Sequence, residues 1–192
     1  MYEEYLVETE CIDYSNPVIQ KKVNELTAIS ESKLDYAEKA YCFVRDEILH
    51  SWDAKLELVS KTASQVLINK TGICWTKSCL LAALLRAEGI PAGISYQLLT
   101  RADDGPEEGY IIHALNTVYI KELDKWIRID ARGNKETVNA QFSLDKEVLA
   151  FPVRPELGEI DYRDNNCDLD ARLIKVLKES SSILDVTTDF TM

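Results

Sequence analysis

Residues 71–91 read TGICWTKSCLLAALLRAEGIP. Leu80, Leu81, Ala82, Ala83, Leu84, Leu85 and Ala87 make the run apolar nearly all round, which predicts a central, buried helix. Gly72 supplies a tight turn before it, Gly89 a C-terminal stop, and Pro91 bars continuation. Cys74 falls at the start of this helix. A thiol there meets the positive end of the helix dipole, which favours the nucleophilic thiolate, and free backbone N–H groups lie ready for an oxyanion. Cysteine is also a common small buried residue, so position alone leaves both readings open.

The preceding chain reads helical. Asn16-Pro17 is a cap followed by Pro at the first helical position, with Val18, Ile19, Val23 and Leu26 after it. Asp35 with Glu38 reads as a capping box before a helix running to about Leu49, and Thr62 with Gln65 as a second box. His50 then ends an early helix, where a cation suits the negative end of the dipole.

After Pro91 the period changes to two. Ile94–Thr100 is a strand, Arg101–Gly109 a polar loop, and Tyr110–Ile120 with Trp126–Asp130 a hairpin. Residues 132–155 are irregular, a C-terminal helix spans about 168–179, and the tail 180–192 is polar and loosely held. Helices first and antiparallel strands second predict an α+β fold.

A thiolate nucleophile needs a base, and the chain has two histidines. A two-residue turn at Glu122-Leu123 puts Leu115 opposite Asp130 and His113 opposite Arg132. His113 and Asp130 then share a face as diagonal neighbours. The expected arrangement has the Cys74 sulfur facing His113 across a cleft to the sheet.

Composition narrows the partners. The 192 residues are 46% hydrophobic and 29% charged, enough apolar material for one core and one domain over 1–192. The formal net charge of −11 repels phosphate backbones and anionic lipid, so neither nucleic acid nor membrane is an expected partner. With no basic, apolar leader and no long apolar span, the chain reads as cytoplasmic. Its five scattered cysteines then read as reduced thiols. Cys74 and Cys79 project about 140° apart around a helix, so they do not converge on a metal.

Three blocks resemble the transglutaminase-like superfamily, whose core is papain-like: TGICWTKSCLLAALLRAEGIPAG (71–93), HALNTVYI (113–120) and KWIRIDARGN (125–134). TASQVL (62–67) fits the segment before the cysteine turn, so the core motifs span 62–134. VRDEILHSWD (44–53) and FPVRPELGEID (151–161) look like flanking segments of a bacterial branch. Carried over position by position, the resemblance makes Cys74 the nucleophile, His113 the base and Asp130 the orienting acid. Leu115 stands where many members carry Trp. The calcium sites of animal transglutaminases have no counterpart, so no cofactor is expected. Gln65, Trp75, Gln97 and Asn116 are candidates for the oxyanion pocket or cleft. The implied activity is acyl transfer through a thioester on a peptide or amide substrate, with hydrolysis favoured over transamidation. The alternative is a silent binding or scaffolding protein on the same fold.

Overall fold

The structure is a computed structural model that describes residues 2–102, 105–188 and 191–192. Helix α1 (Pro17–Thr27) begins where Asn16 accepts the Val18 N–H, and it buries Ile19, Val23 and Leu26. Helix α2 (Lys33–Glu47) starts earlier than the Asp35–Glu38 box implied. Ser32 caps it by accepting the Asp35 N–H at 3.1 Å, and Asp35 instead accepts the Glu31 N–H at 2.8 Å. The helix stops at Glu47 because the chain turns extended at Ile48 and enters the short strand β1 (Leu49–His50). One turn of helix follows, α3 (Ser51–Ala54). Helix α4 (Ala63–Asn69) is capped by Thr62, and strand β2 (Thr71–Gly72) pairs parallel with β1.

Helix α5 (Cys74–Ala87) is the hub, with every residue from Cys74 to Arg86 buried. Gly89 at φ +70 ends it, as Ile90 N–H bonds Leu85 O and Gly89 N–H bonds Arg86 O. The buried Arg86 guanidinium donates to the carbonyls of Val7, Ala92 and Cys167, tying the N-terminal segment, the sheet and the C-terminal segment to the helix.

Strands β3 (Ala92–Ala102), β4 (Gly105–Ile120), β5 (Lys125–Ile129) and β6 (Ile160–Asn166) form one antiparallel sheet in the order β5-β4-β3-β6. Most of the expected loop 101–109 is therefore strand; its Asp103 and Asp104 lie outside the described residues. The β4–β5 register pairs Asn116 with Ile129 and Ile120 with Lys125. The turn is longer than expected, since Lys121–Leu123 form a 3-10 turn and Asp124 sits at φ +48. Lengthening from two to four residues preserves the parity, so the same side chains share a face. Strand β6 was not foreseen. Its sequence, IDYRDNN, is mostly polar, as suits an edge strand, and only Ile160 and Tyr162 alternate as apolar positions.

The sheet has two distinct faces. Ile94, Tyr96, Leu98, Ile112, Ala114 and Val118 join the main core with α5. The alternate residues, including His113 and Leu115, face the segment 132–155. Helix α6 (Ala171–Glu179) is capped by Asp170 and buries Leu173 and Leu177. The tail is docked rather than loose over its described part: Ile183 and Val186 are buried, and Ile183 O accepts the Trp52 indole N–H at 2.8 Å. Among the described residues, no helix is long and apolar enough to cross a membrane.

Candidate active site

The β1–β2 pair delivers the chain to α5. Gly72 lies in β2 and serves close packing more than a turn, since a Cβ there would come within 2.6 Å of Thr76 Oγ1 and 3.2 Å of Val66 Cγ2. Cys74 is the first residue of α5, 8% exposed. Ile73 occupies the N-cap and no side chain caps this helix. The first intrahelical bond runs from Lys77 N–H to Ile73 O, which leaves the N–H groups of Cys74, Trp75 and Thr76 without helical acceptors.

Trp75 fixes where that end of the helix lies. Its buried indole N–H donates to Ile112 O at 2.7 Å. The paired part of β5 reaches only Asn116 on β4, so Ile112 and His113 lie beyond its end. The α5 N-terminus thus meets the flank of β4 that β5 leaves uncovered.

His113 Nε2 lies 2.8 Å from Asp130 Oδ2. The Cys74 thiol stands near enough to the imidazole to act on its protonation. Asn116 bonds Ser78 O on α5, and His113, three residues away on the same strand, has the opposite parity.

Asp130 serves three donors. Oδ2 accepts from His113 and from the Ala150 N–H at 3.0 Å; Oδ1 accepts the Arg132 N–H at 3.1 Å. The Phe151 ring stands edge-on to the imidazole at 5.3 Å. Both His113 and Asp130 are buried, at 2% and 1% exposure. Burial by itself would discharge the imidazole, but the Asp130 charge, the nearby Cys74 and the hydrogen bond to Asp130 outweigh it and push His113 up to about 10. Burial likewise opposes the Asp130 charge, yet His113 and the two backbone N–H groups hold its carboxyl below the usual range.

The other sequence candidates fare differently. Gln65 is exposed on α4, its Oε1 accepting the Lys61 N–H at 2.8 Å, beside Cys11 and Leu177 and away from His113 and Asp130. The Trp75 donor is spent on Ile112. Asn116 is buried on the face opposite His113, donating to Ser78 O and Gly93 O, so it is glue between α5 and the sheet. Gln97 pairs directly with His113 in register and is buried, and its Oε1 has no hydrogen-bond partner among the described residues. The first turn of α5 offers backbone N–H groups at Cys74.

Two buried groups near the site escaped the sequence reading. His50 is not a surface cation at a helix end. It pairs with Gly72 in β1–β2, is 7% exposed, and its Nδ1 has no hydrogen bond, with Asp53 Oδ2 at 3.9 Å. Burial and the cations of Arg132, Lys77 and His113 push its pKa well down. Lys77, one turn below Cys74, donates to Ile48 O, and burial lowers it to about 7. VRDEILHSWD carried the signal for His50; nothing marked Lys77, which stands in an exposed-looking polar patch of sequence.

A cleft of about 740 Å³ borders this constellation through Arg132, Ala150 and Phe151, with Trp52 and Asp53 also lining it. Among the described residues, no group of three or more His, Cys, Asp or Glu side chains is placed to hold a metal ion.

The model of the transglutaminase-like superfamily matches residues 20–131, more than half of the chain, including Cys74, His113 and Asp130. The chain belongs to the transglutaminase-like superfamily. No curated protein matches it significantly in sequence. A solved chain described as a "Putative Cysteine Protease from Cytophaga hutchinsonii" shares the fold, with a TM-score of 0.53 and 18% identity over 68% of this chain. The match spans 42% of that chain.

Proposed function

We propose that this member of the superfamily is a thiol-dependent acyl-transfer enzyme that hydrolyses a peptide or amide bond. The observation that supports the reading is one buried imidazole whose Nε2 lies 2.8 Å from Asp130 Oδ2 while the Cys74 thiol stands near the same ring.

Chemistry follows from that arrangement. The raised His113 pKa makes the imidazolium the resting form, and its charge stabilises a thiolate on Cys74. The sulfur attacks the carbonyl carbon, and the N–H groups of the first α5 turn take the oxyanion. His113 gives its proton to the leaving amine as the C–N bond breaks, leaving a thioester. Neutral His113 then takes a proton from water as the water oxygen attacks. The acid leaves, and the thiolate–imidazolium pair is restored. Asp130 keeps the ring oriented and its charge stabilised throughout.

The test is a screen of peptides and small amides, quenched in acid and read by intact mass. The expected result is an adduct of substrate minus amine on Cys74, absent in Cys74→Ala. Added primary amine should capture little of the acyl group; predominant amide product would assign transamidation instead. Turnover surviving in Cys74→Ala would overturn the proposal.

A further inference from the structure

The cleft beside the triad carries a charge opposite to that of the protein. Four cations line it, Arg101, Arg132, Lys135 and Arg154, against two anions, Asp53 and Glu159. Arg154 and Glu159 neutralise each other, the Glu159 side chain being 1% exposed. Asp53 receives both Arg132, at Nη2–Oδ1 3.0 Å in a two-pronged contact, and Lys135 at 3.1 Å. One carboxylate shared by two cations leaves a surplus positive charge. Arg101 is exposed and has no hydrogen bond or ion pair among the described residues. Among the described residues, the cations lining the cleft thus outnumber its carboxylates by two, in a chain whose net charge is −11.

Their placement ties them to the site. The Arg132 N–H is held by Asp130, and its guanidinium by Asp53, so this cation is fixed relative to the triad. Across a surface that otherwise repels anions, a cation excess beside the residues that contact Asp130 and His113 selects for charge in what binds. A carboxylate fits better than a phosphate dianion, because Asp53 stands among the cations and would repel the second charge.

Resting on the acyl-transfer reading, we infer that the cleft selects substrates carrying a carboxylate near the scissile bond, from an acidic side chain or a free chain end. Arg101 and Lys135 are its exposed specificity determinants, while Arg132 is matched by Asp53.

The test is calorimetric titration of the full-length Cys74→Ala protein, which binds without turnover. The probes are acetyl-Ala-Glu-Ala-Ala-amide, its Gln and Lys analogues, and the Gln peptide with a free acid end. At least one acidic peptide should bind about fivefold tighter than the Gln amide, with the Lys peptide weakest. The preference should shrink with added salt and vanish in an Arg101→Gln/Lys135→Gln background, which leaves the buried pairs intact. Whether Glu or the free acid gains identifies the source of the carboxylate. Equal binding of all peptides, binding of none at millimolar concentration, best binding by Lys, or a preference that survives the double variant would each overturn the inference. Failure of the acyl-transfer reading would show separately, as unselective Cys74 chemistry in the wild type.

Discussion

His113 on β4 and Asp130 just past β5 meet diagonally, Nε2 to Oδ2 at 2.8 Å, with both side chains buried. In such surroundings the carboxylate's charge decides the protonation of the ring. Asp130→Asn keeps the shape and removes the charge, so the His113 pKa should fall from about 10 toward its ordinary range. Acyl transfer should drop roughly tenfold to a thousandfold, as for an orienting group in a triad. Titration of the His113 ring by NMR checks the first part. A thermal melt must accompany it, since an amide satisfies the Ala150 and Arg132 N–H groups less well. An unchanged His113 titration in a folded variant would reduce Asp130 to a turn residue.

The two histidines should separate cleanly. His50 is buried and driven neutral, and no hydrogen bond joins it to the triad. His50→Gln should leave selective alkylation of Cys74 intact, whereas His113→Ala should abolish the selectivity. Equal losses in proteins of equal melting temperature would contradict this assignment.

Trp75 links helix placement to chemistry. Trp75→Phe removes the donor to Ile112 O, leaving a buried carbonyl unpaired at a cost of about 1–3 kcal/mol. The first turn of α5 then loses its tether to β4. The melting temperature should fall, and Cys74 alkylation should slow severalfold. A lowered melt with an unchanged Cys74 rate would make the indole mere core.

Much of this was legible beforehand. The apolar run after Cys74 announces α5, and the even parity of the KELDK turn puts His113 and Asp130 on one face whether the turn has two residues or four. What stayed hidden depends on neighbours remote in sequence. Strand β6 carries only Ile160 and Tyr162 as alternating apolar residues, because it is an edge strand. The docked tail depends on Trp52 meeting Ile183. The partners of Asp130 depend on Ala150 arriving from an irregular segment. Local pattern does not encode any of these contacts.

Glu159 offers a test of stability apart from catalysis. Burial would raise its pKa, but Arg154 and Thr100 hold it to about 2, from an ordinary 4.5. A depressed carboxyl contributes stability above its unfolded pKa and loses it as the folded form is protonated. The wild type should therefore lose on the order of 3 kcal/mol of this contribution between pH 5 and pH 2. Glu159→Gln should be less stable at pH 6 and show a flatter decline across that window in urea titrations. Parallel curves for the two proteins would contradict the ionised, paired carboxylate.

Competitive alkylation of the five thiols tests the central claim most directly. Cys42 and Cys167 are half-buried, while Cys11, Cys74 and Cys79 are buried. Accessibility alone would send a limiting dose of iodoacetamide to Cys42 and Cys167. The triad account predicts the reverse: peptide mapping at neutral pH should find the label on Cys74, at least about tenfold ahead of the other thiols, through its activated thiolate. That lead should disappear in His113→Ala. Labelling that follows exposure, with Cys74 no faster than Cys42 or Cys167 and indifferent to His113, would contradict it.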